Sequence, residues 1–271
     1  MKISLVTVQM TSAPSVEKNL RWLGEQLNQF NKTLPTLVVL PECFACFGGN
    51  ENAQLTVAEE FGQGAIQHFI ANQAKKKGVW ILAGSMPLKS KQNNKILAAS
   101  LLFSPDGSCV AHYNKMHLFD VEVADSTRHY HESATTEAGE QIVVVDTELG
   151  RIGLSICYDL RFAELYRAMQ AQGADIICVP SAFTQLTGAA HWQPLVQARA
   201  IENQVFMVAA NQTGQHENGR QTYGHSMVVD PWGEILHCQK MATGLAESTV
   251  ELNRLNEIRA KMPNLKHRKL F

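Results

Sequence analysis

The chain has 271 residues, 45 % hydrophobic and 18 % charged, with 24 basic and 25 acidic side chains and a formal net charge of −1. That length makes one large domain or two small ones and buries a core without staples. The charge balance excludes the basic excess of a nucleic-acid binder or a polybasic membrane-surface protein.

The first predicted element is a strand, Lys2–Val8. Its apolar run is too short, and too broken by Ser4 and Thr7, for a signal-peptide core. No run of about 18 apolar residues occurs, so no membrane-spanning helix is expected. Ser15 can cap a helix that carries Val16, Leu20, Leu23, Leu27 and Phe30 on one face. Thr36–Leu40 is a buried strand. A second helix turns Ile66, Phe69 and Ile70 inward and ends on Lys75–Lys77, cations that suit a helix C-terminus, with Gly78 as its stop. Val79–Ala83 is the next strand.

Antiparallel pairing then enters. Ile96–Phe103 and Cys109–Tyr113 flank Pro105-Asp106-Gly107, where Pro presets φ and Gly supplies a positive φ. Gln141–Val145 and Arg151–Ile156 flank Glu148-Leu149-Gly150 in the same way. A helix over Phe162–Gln172, a strand over Asp175–Val179, a helix over His191–Glu202 and a strand over Val205–Ala210 follow. Tyr223–Val229 and Glu234–Cys238 form a hairpin around Asp230-Pro231-Trp232-Gly233. Leu252–Ala260 is a terminal helix and Met262–Phe271 a basic tail. No linker or repeat divides the chain, so residues 1–271 read as one α/β domain with a mixed sheet system. Pattern alone leaves open whether there is one sheet or two. The six scattered cysteines point to a reducing, cytoplasmic setting.

Ligands of α/β sheets collect at the carboxyl ends of strands. Thr36–Leu40 delivers Pro41-Glu42, Cys109–Tyr113 delivers Asn114-Lys115, and Arg151–Ile156 delivers Cys157. A carboxylate, an ammonium and a thiol thus follow three strands. A thiol attacks a carbonyl carbon as thiolate, a carboxylate can take its proton, and a lysine can hold the oxyanion. The N–H of Tyr158, at the start of the next helical turn, could complete an oxyanion hole. Taken singly, each residue has a plainer reading, as a small core residue or a solvated charge.

The surrounding residues carry a specific resemblance. Leu40-Pro41-Glu42-Cys43-Phe44, Tyr113-Asn114-Lys115-Met116-His117-Leu118-Phe119-Asp120 and Ile156-Cys157-Tyr158-Asp159-Leu160-Arg161-Phe162 resemble the nitrilase superfamily, whose Glu-Lys-Cys triad lies in these motifs in this order. The likeness extends through Pro180-Ser181-Ala182-Phe183, Thr187–Trp192, Ala198–Asn203 and Tyr223–Gly233. It implies a four-layer αββα sandwich of two mixed sheets, carbon–nitrogen hydrolysis through a cysteine thioester, and homodimers; separately, no cofactor or metal is expected. By motif match it makes Glu42 the general base, Lys115 the oxyanion stabiliser and Cys157 the nucleophile. A shorter match makes Glu132 a second glutamate that orients Lys115 and the substrate nitrogen.

Within the superfamily the chain resembles the Nit-branch amidases of small dicarboxylate monoamides. Pro180-Ser181-Ala182-Phe183, Tyr223–Met227 and Asp230-Pro231-Trp232-Gly233 favour the deaminated glutathione type. The alternative is the ω-amidase type acting on α-ketoglutaramate, which carries Gly in place of Ser181 and Asn in place of Asp230. Such a substrate is anionic, so Arg161, Ser181, Thr184 and Thr187 are the expected pocket residues, with Arg128 or His129 from Val121–Thr136 as further candidates. A plain ion pair is the competing reading of Arg161, and Arg199 with Glu202 reads as a structural pair. Cys43 and Cys46 form a C-x-x-C that, with His129 and His131, offers a thiol-redox or metal-binding alternative. His225 is the residue a Cys-His hydrolase would use. A catalytically inert binding protein on the same fold is the third class. No Walker A pattern occurs, and Gly62-Gln63-Gly64 lacks the third glycine of a dinucleotide fingerprint.

Overall fold

Side-chain alternation along the central strands decides the layering. In Lys2–Gln9, Ile3 and Leu5 enter one buried cluster, while Val6 and Val8 enter another. Thr36–Val39 divides the same way, Leu37 and Val39 against Val38. Strands buried on both faces must be covered twice, and in this computed structural model, which describes residues 1–50, 52–125 and 127–269, they are.

One sheet runs Gly244–Glu251, Lys2–Gln9, Thr36–Val39, Trp80–Leu82, Ile96–Phe103, Met86–Lys89, and Ile96–Phe103 also pairs with Cys109–Asn114 and Thr136–Glu137. The other runs Val144–Thr147, Gly150–Leu154, Ile176–Cys178, Phe206–Ala209, Ser226–Val229, Ile235–Gln239. Each has a parallel centre of three strands with antiparallel flanks. Ile3, Leu5, Leu37, Val39 and Leu82 of the first sheet share a cluster with Ile152, Leu154, Val208 and Val228 of the second. Leu23 and Leu27 of the helix Val16–Gln29, with Ile66 and Ile70 of Ala65–Lys77, cover the first sheet's outer face. Leu165 and Met169 of Ala163–Ala171, with Val196 and Ala200 of Gln193–Asn203, cover the second. The result is a four-layer αββα sandwich.

Local chemistry explains most element ends. The Ser15 hydroxyl accepts from the Lys18 N–H, and Gly78 closes its helix in the left-handed conformation at φ 61°. Three expectations are corrected. Gln141–Val145 shifts to Val144–Thr147. His191–Glu202 becomes a π-turn over Gly188–Trp192 followed by Gln193–Asn203. Tyr223–Val229 is two strands, because Gly224 and His225 both have positive φ, 71° and 57°. The first part pairs with Thr213–Gln215 and the second joins the large sheet. Among the strands without a strong pattern in sequence are the edge strand Met86–Lys89, which carries Pro87, and Gly244–Glu251. The tail forms a short 3-10 turn at Asn264–His267, and Leu270 and Phe271 lie outside the described residues.

Candidate active site

Glu42 stands past the end of a central parallel strand. The Leu40 N–H extends that ladder to the Leu82 carbonyl at 3.0 Å. The chain then turns over Gly84, where a Cβ would lie 1.9 Å from the Pro41 carbonyl oxygen. Only glycine allows that approach. Gln212 Nε2 donates to the Glu42 carbonyl at 2.9 Å and the Ser12 hydroxyl to the Phe44 carbonyl at 3.0 Å, which anchors the backbone of this arm.

Lys115 follows Cys109–Asn114. Its N–H donates to the Ala98 carbonyl at 3.0 Å and its carbonyl accepts from Gly139 at 2.8 Å. A Cβ on Gly139 would meet the Asn114 carbonyl oxygen at 2.3 Å, so a second glycine seats this arm. The ammonium lies 2.8 Å from Glu42 Oε1 and 2.9 and 2.8 Å from the two oxygens of Glu132. Glu132 opens the 3-10 turn Glu132–Ala134, and its Oε2 also accepts from the Phe119 N–H at 2.6 Å.

Cys157 adopts φ +47°, a conformation that is strained for a non-glycine residue. Two anchors hold it. Its N–H donates to the Pro180 carbonyl at 2.8 Å, and the Ile156 N–H donates to Asp159 Oδ2 at 2.8 Å. The fully buried Asp159 also accepts from Tyr113 Oη at 2.7 Å, from the His117 N–H at 3.1 Å, and pairs with His117 Nδ1 at 2.7 Å. Tyr113 and His117 bracket Lys115 in sequence, so one carboxylate joins the lysine arm to the cysteine arm. Arg199 braces the same 3-10 turn, its Nε and Nη2 donating to the Leu160 carbonyl at 3.1 and 2.9 Å, while Nη1 pairs with Glu202 at 2.9 Å.

Burial opposes the charge of Lys115, but Glu132 and Glu42 outweigh it and hold its pKa well above the lysine range. Burial also pushes Glu132 up, as does Glu42, with Lys115 acting against both. Burial, Glu42's charge and a hydrogen bond from the thiol to Glu42 raise Cys157 far above an ordinary thiol, against Lys115 and the Ala182 N–H, which favour the thiolate. Together these influences favour the neutral thiol over the thiolate. Such a thiol becomes a nucleophile when the base takes its proton during attack. Tyr158 N–H lies ahead of the first bond of the turn, Asp159 N–H to the Ile156 carbonyl at 3.1 Å. It occupies the position of an unsatisfied helix-start donor.

These four side chains form the floor of a cleft of about 440 Å3. Arg161, Thr184 and Thr187 line its wall together with Tyr158 and Phe183. Arg161 lies over the rings of Tyr158 and Phe183, 5.8 and 5.4 Å from their centroids, and its Nη1 is 3.2 Å from His191 Nδ1. No carboxylate pairs with it among the described residues, which removes the plain ion-pair reading. The Thr184 and Thr187 hydroxyls bond each other at 2.9 Å.

Ser181 is corrected. It lies outside the cleft, fully buried, with its hydroxyl donating to the Val179 carbonyl at 3.1 Å. Arg128 is also absent from the cleft lining, whereas His129 and His131 are part of it. His225 stacks on Tyr223 with centroids 3.9 Å apart and does not line the cleft. Cys43 and Cys46 do line it. Burial and Glu42 push Cys43 up to about 12, Gln54 Nε2 reaches its sulfur at 3.1 Å, and the Cys46 thiol donates to the Pro14 carbonyl at 3.3 Å. Among the described residues no group of three or more metal-ligating side chains converges. Sequence reasoning passed over Phe47, Tyr130, Asn218 and Arg220, all of which line the cleft. They come from three separate loops, and no spacing rule joins them.

Comparison with known proteins agrees with this geometry. A deaminated glutathione amidase from Synechocystis is 44 % identical over 264 residues, covering 96 % of each chain. The crystal structure of Saccharomyces cerevisiae Nit3, a member of branch 10 of the nitrilase superfamily, superimposes with a TM-score of 0.87 at 29 % identity, covering 99 % of this chain and 97 % of that one. The Caenorhabditis elegans NitFhit protein gives 0.85 at 36 % identity, and this chain covers 65 % of that longer one. The carbon–nitrogen hydrolase family profile matches residues 5–260. The chain belongs to the carbon–nitrogen hydrolase family, the nitrilase superfamily that its Glu42, Lys115 and Cys157 motifs resemble.

Proposed function

We propose that this chain is an amidase that hydrolyses deaminated glutathione, with Cys157 as nucleophile, Glu42 as general base and acid, Lys115 and the Tyr158 N–H as oxyanion donors, and Glu132 as the residue that orients Lys115 and the substrate nitrogen. The observation that carries it is the buried cluster in which one ammonium lies 2.8 Å from each of two carboxylates, in the same cleft as the Cys157 thiol. The Synechocystis relative is named for the same substrate.

In the first step the Cys157 sulfur adds to the amide carbon while Glu42 takes its proton, and Lys115 neutralises the oxyanion. The tetrahedral adduct collapses by breaking the carbon–nitrogen bond. Glu42 returns its proton to the leaving nitrogen, and Cys-Gly departs as an amine. Water then adds to the thioester with Glu42 as base, which releases α-ketoglutarate and restores the thiol. Arg161, Thr184 and Thr187 offer a cation and two hydroxyls for the keto-acid carboxylate. The second reading, α-ketoglutaramate as substrate, uses the same steps with ammonia as leaving group.

The same reading includes a cytoplasmic homodimer. The six cysteines are unpaired, as a reducing compartment would keep them, and Ile201 and Trp232 stand exposed near each other at Gly233. Sedimentation of the purified protein tests the dimer. The substrate test is kcat/KM for deaminated glutathione beside α-ketoglutaramate, with Cys157→Ala as blank. A ten-fold preference for the first, about 1.4 kcal/mol in the transition state, supports the reading. A ten-fold preference for the second replaces it. An acyl adduct on Cys157, trapped by rapid acid quench, tests the thioester.

A further inference from the structure

One cation of the cleft has no role in the steps above. Arg220 follows the turn after Thr213–Gln215 and lies close to two rings, its Cζ 4.8 Å from the Phe47 centroid and 4.9 Å from that of Tyr130. Among the described residues its side chain finds one acceptor, the neutral carbonyl of Ala182, at 3.1 Å from Nη2. Its Nε is buried without a partner, and no carboxylate pairs with it among the described residues. A guanidinium has five donors in a planar fork that matches a carboxylate, and buried donors left unpaired are rare in native folds. Here the fork is stiffened by its aromatic neighbours, and among the described residues no carboxylate compensates its charge at the cleft wall.

The position gives the fork a direction. Phe47 lies on the segment that leaves Glu42, and Tyr130 lies two residues before Glu132. Arg220 therefore belongs to the carboxylate side of the cleft, the side that receives the leaving nitrogen. Arg161 belongs to the nucleophile's own turn and lies over the ring of Phe183, next in sequence to the Ala182 whose carbonyl Arg220 bonds. Deaminated glutathione carries one carboxylate on its acyl half and one on the terminal glycine of its leaving half. We infer that Arg220 receives the terminal carboxylate of the leaving dipeptide, and so makes the enzyme selective for a peptide amide over a primary amide. This assignment rests on the substrate reading above.

The test compares deaminated glutathione with the same molecule amidated at its terminal carboxylate, in wild-type, Arg220→Gln, Arg220→Lys and Arg161→Gln proteins. Wild type should prefer the free carboxylate by ten-fold or more in kcat/KM, chiefly through KM. Arg220→Gln should collapse that preference to within about three-fold, Arg220→Lys should restore part of it, and Arg161→Gln should keep it. A preference that survives in Arg220→Gln, or is missing from wild type, overturns the assignment and leaves the substrate reading standing. Equal losses of Arg220→Gln on both compounds identify a mere brace between Phe47 and Tyr130 and overturn it as well. A wild-type protein inert on deaminated glutathione overturns the substrate reading, and this assignment with it. Thermal melts of each variant separate a folding loss from a binding loss.

Discussion

The floor and the wall of the cleft are built differently. Glu42, Lys115 and Cys157 each follow a sheet strand, and backbone bonds to Leu82, Ala98 and Pro180 hold the ends of those strands. The wall at Phe47, Tyr130 and Arg220 comes from loops and short hairpins, held by ring stacking and by side chains such as His216, which bonds Thr222 at 2.8 Å and abuts Phe47. The difference separates two tasks. Bond-making tolerates small displacements poorly, so its groups stand on rigid ladders. Selecting a substrate needs only a wall of suitable shape and charge, which loops can supply.

Perturbing the floor should cost most. Cys157→Ala should lower kcat by at least about 1,000-fold, about 4 kcal/mol, with little change in thermal melting, because the proposed nucleophile is lost while removing one small buried atom leaves most core packing in place. A rate within about ten-fold of wild type would show that the thiol is not the attacking group. Asp159→Asn should cost less in rate and more in stability. It leaves Ile156, Tyr113 and His117 competing for one acceptor oxygen. We expect a loss of about 2–4 kcal/mol in urea unfolding and a fall in kcat, since the lysine and cysteine arms lose their common anchor. Unchanged stability would mean that each arm is set by its own ladder alone.

Acid should loosen the wall. Burial depresses His216 from 6.5 to about 4. The unfolded chain then binds more protons between these values, so stability is complete above about pH 6.5 and falls as pH drops toward about 4. The His216 share is about 2 kcal/mol at pH 5, measured by urea unfolding. His237, also depressed to about 4 by burial, has the same sign, so His216→Gln isolates the wall's part as a shallower pH slope. An unchanged slope would remove His216 from the account. The smallest effect is expected at the opposite flank. Thr187→Val should raise KM for the anionic substrate by about three- to ten-fold with kcat nearly kept, the loss of one hydroxyl contact. Unchanged kcat/KM would exclude Thr187 from the pocket.

The legible parts of the molecule are those whose cause is local. Ser15, Gly78, Gly107 and Gly150 end elements through their own chemistry, and alternation in Lys2–Gln9 shows burial on two faces. Three polar residues after three strands, set in superfamily-like motifs, marked the floor. Gly84 and Gly139 escaped notice because their reason is a neighbour's carbonyl, in Pro41 and Asn114, far away in sequence. Ser181 was misplaced because a hydroxyl after a strand can turn outward to a substrate or inward to Val179, and sequence holds no sign of which.

The two-faced strands, the helix caps and the turns can be read from the chain alone, since they follow from backbone preference and hydrophobic period within a few residues, and the candidate reacting groups from the motifs that carry the resemblance. Only the packing of the two sheets brings one ammonium to two carboxylates 73 and 17 residues away, Asp159 to His117 and Tyr113 of the lysine arm 42 and 46 residues away, and Arg220 to two rings at the cleft wall. Such pairings are set by how two sheets stack, and the energy that selects them is shared across the whole buried interface rather than written at either partner.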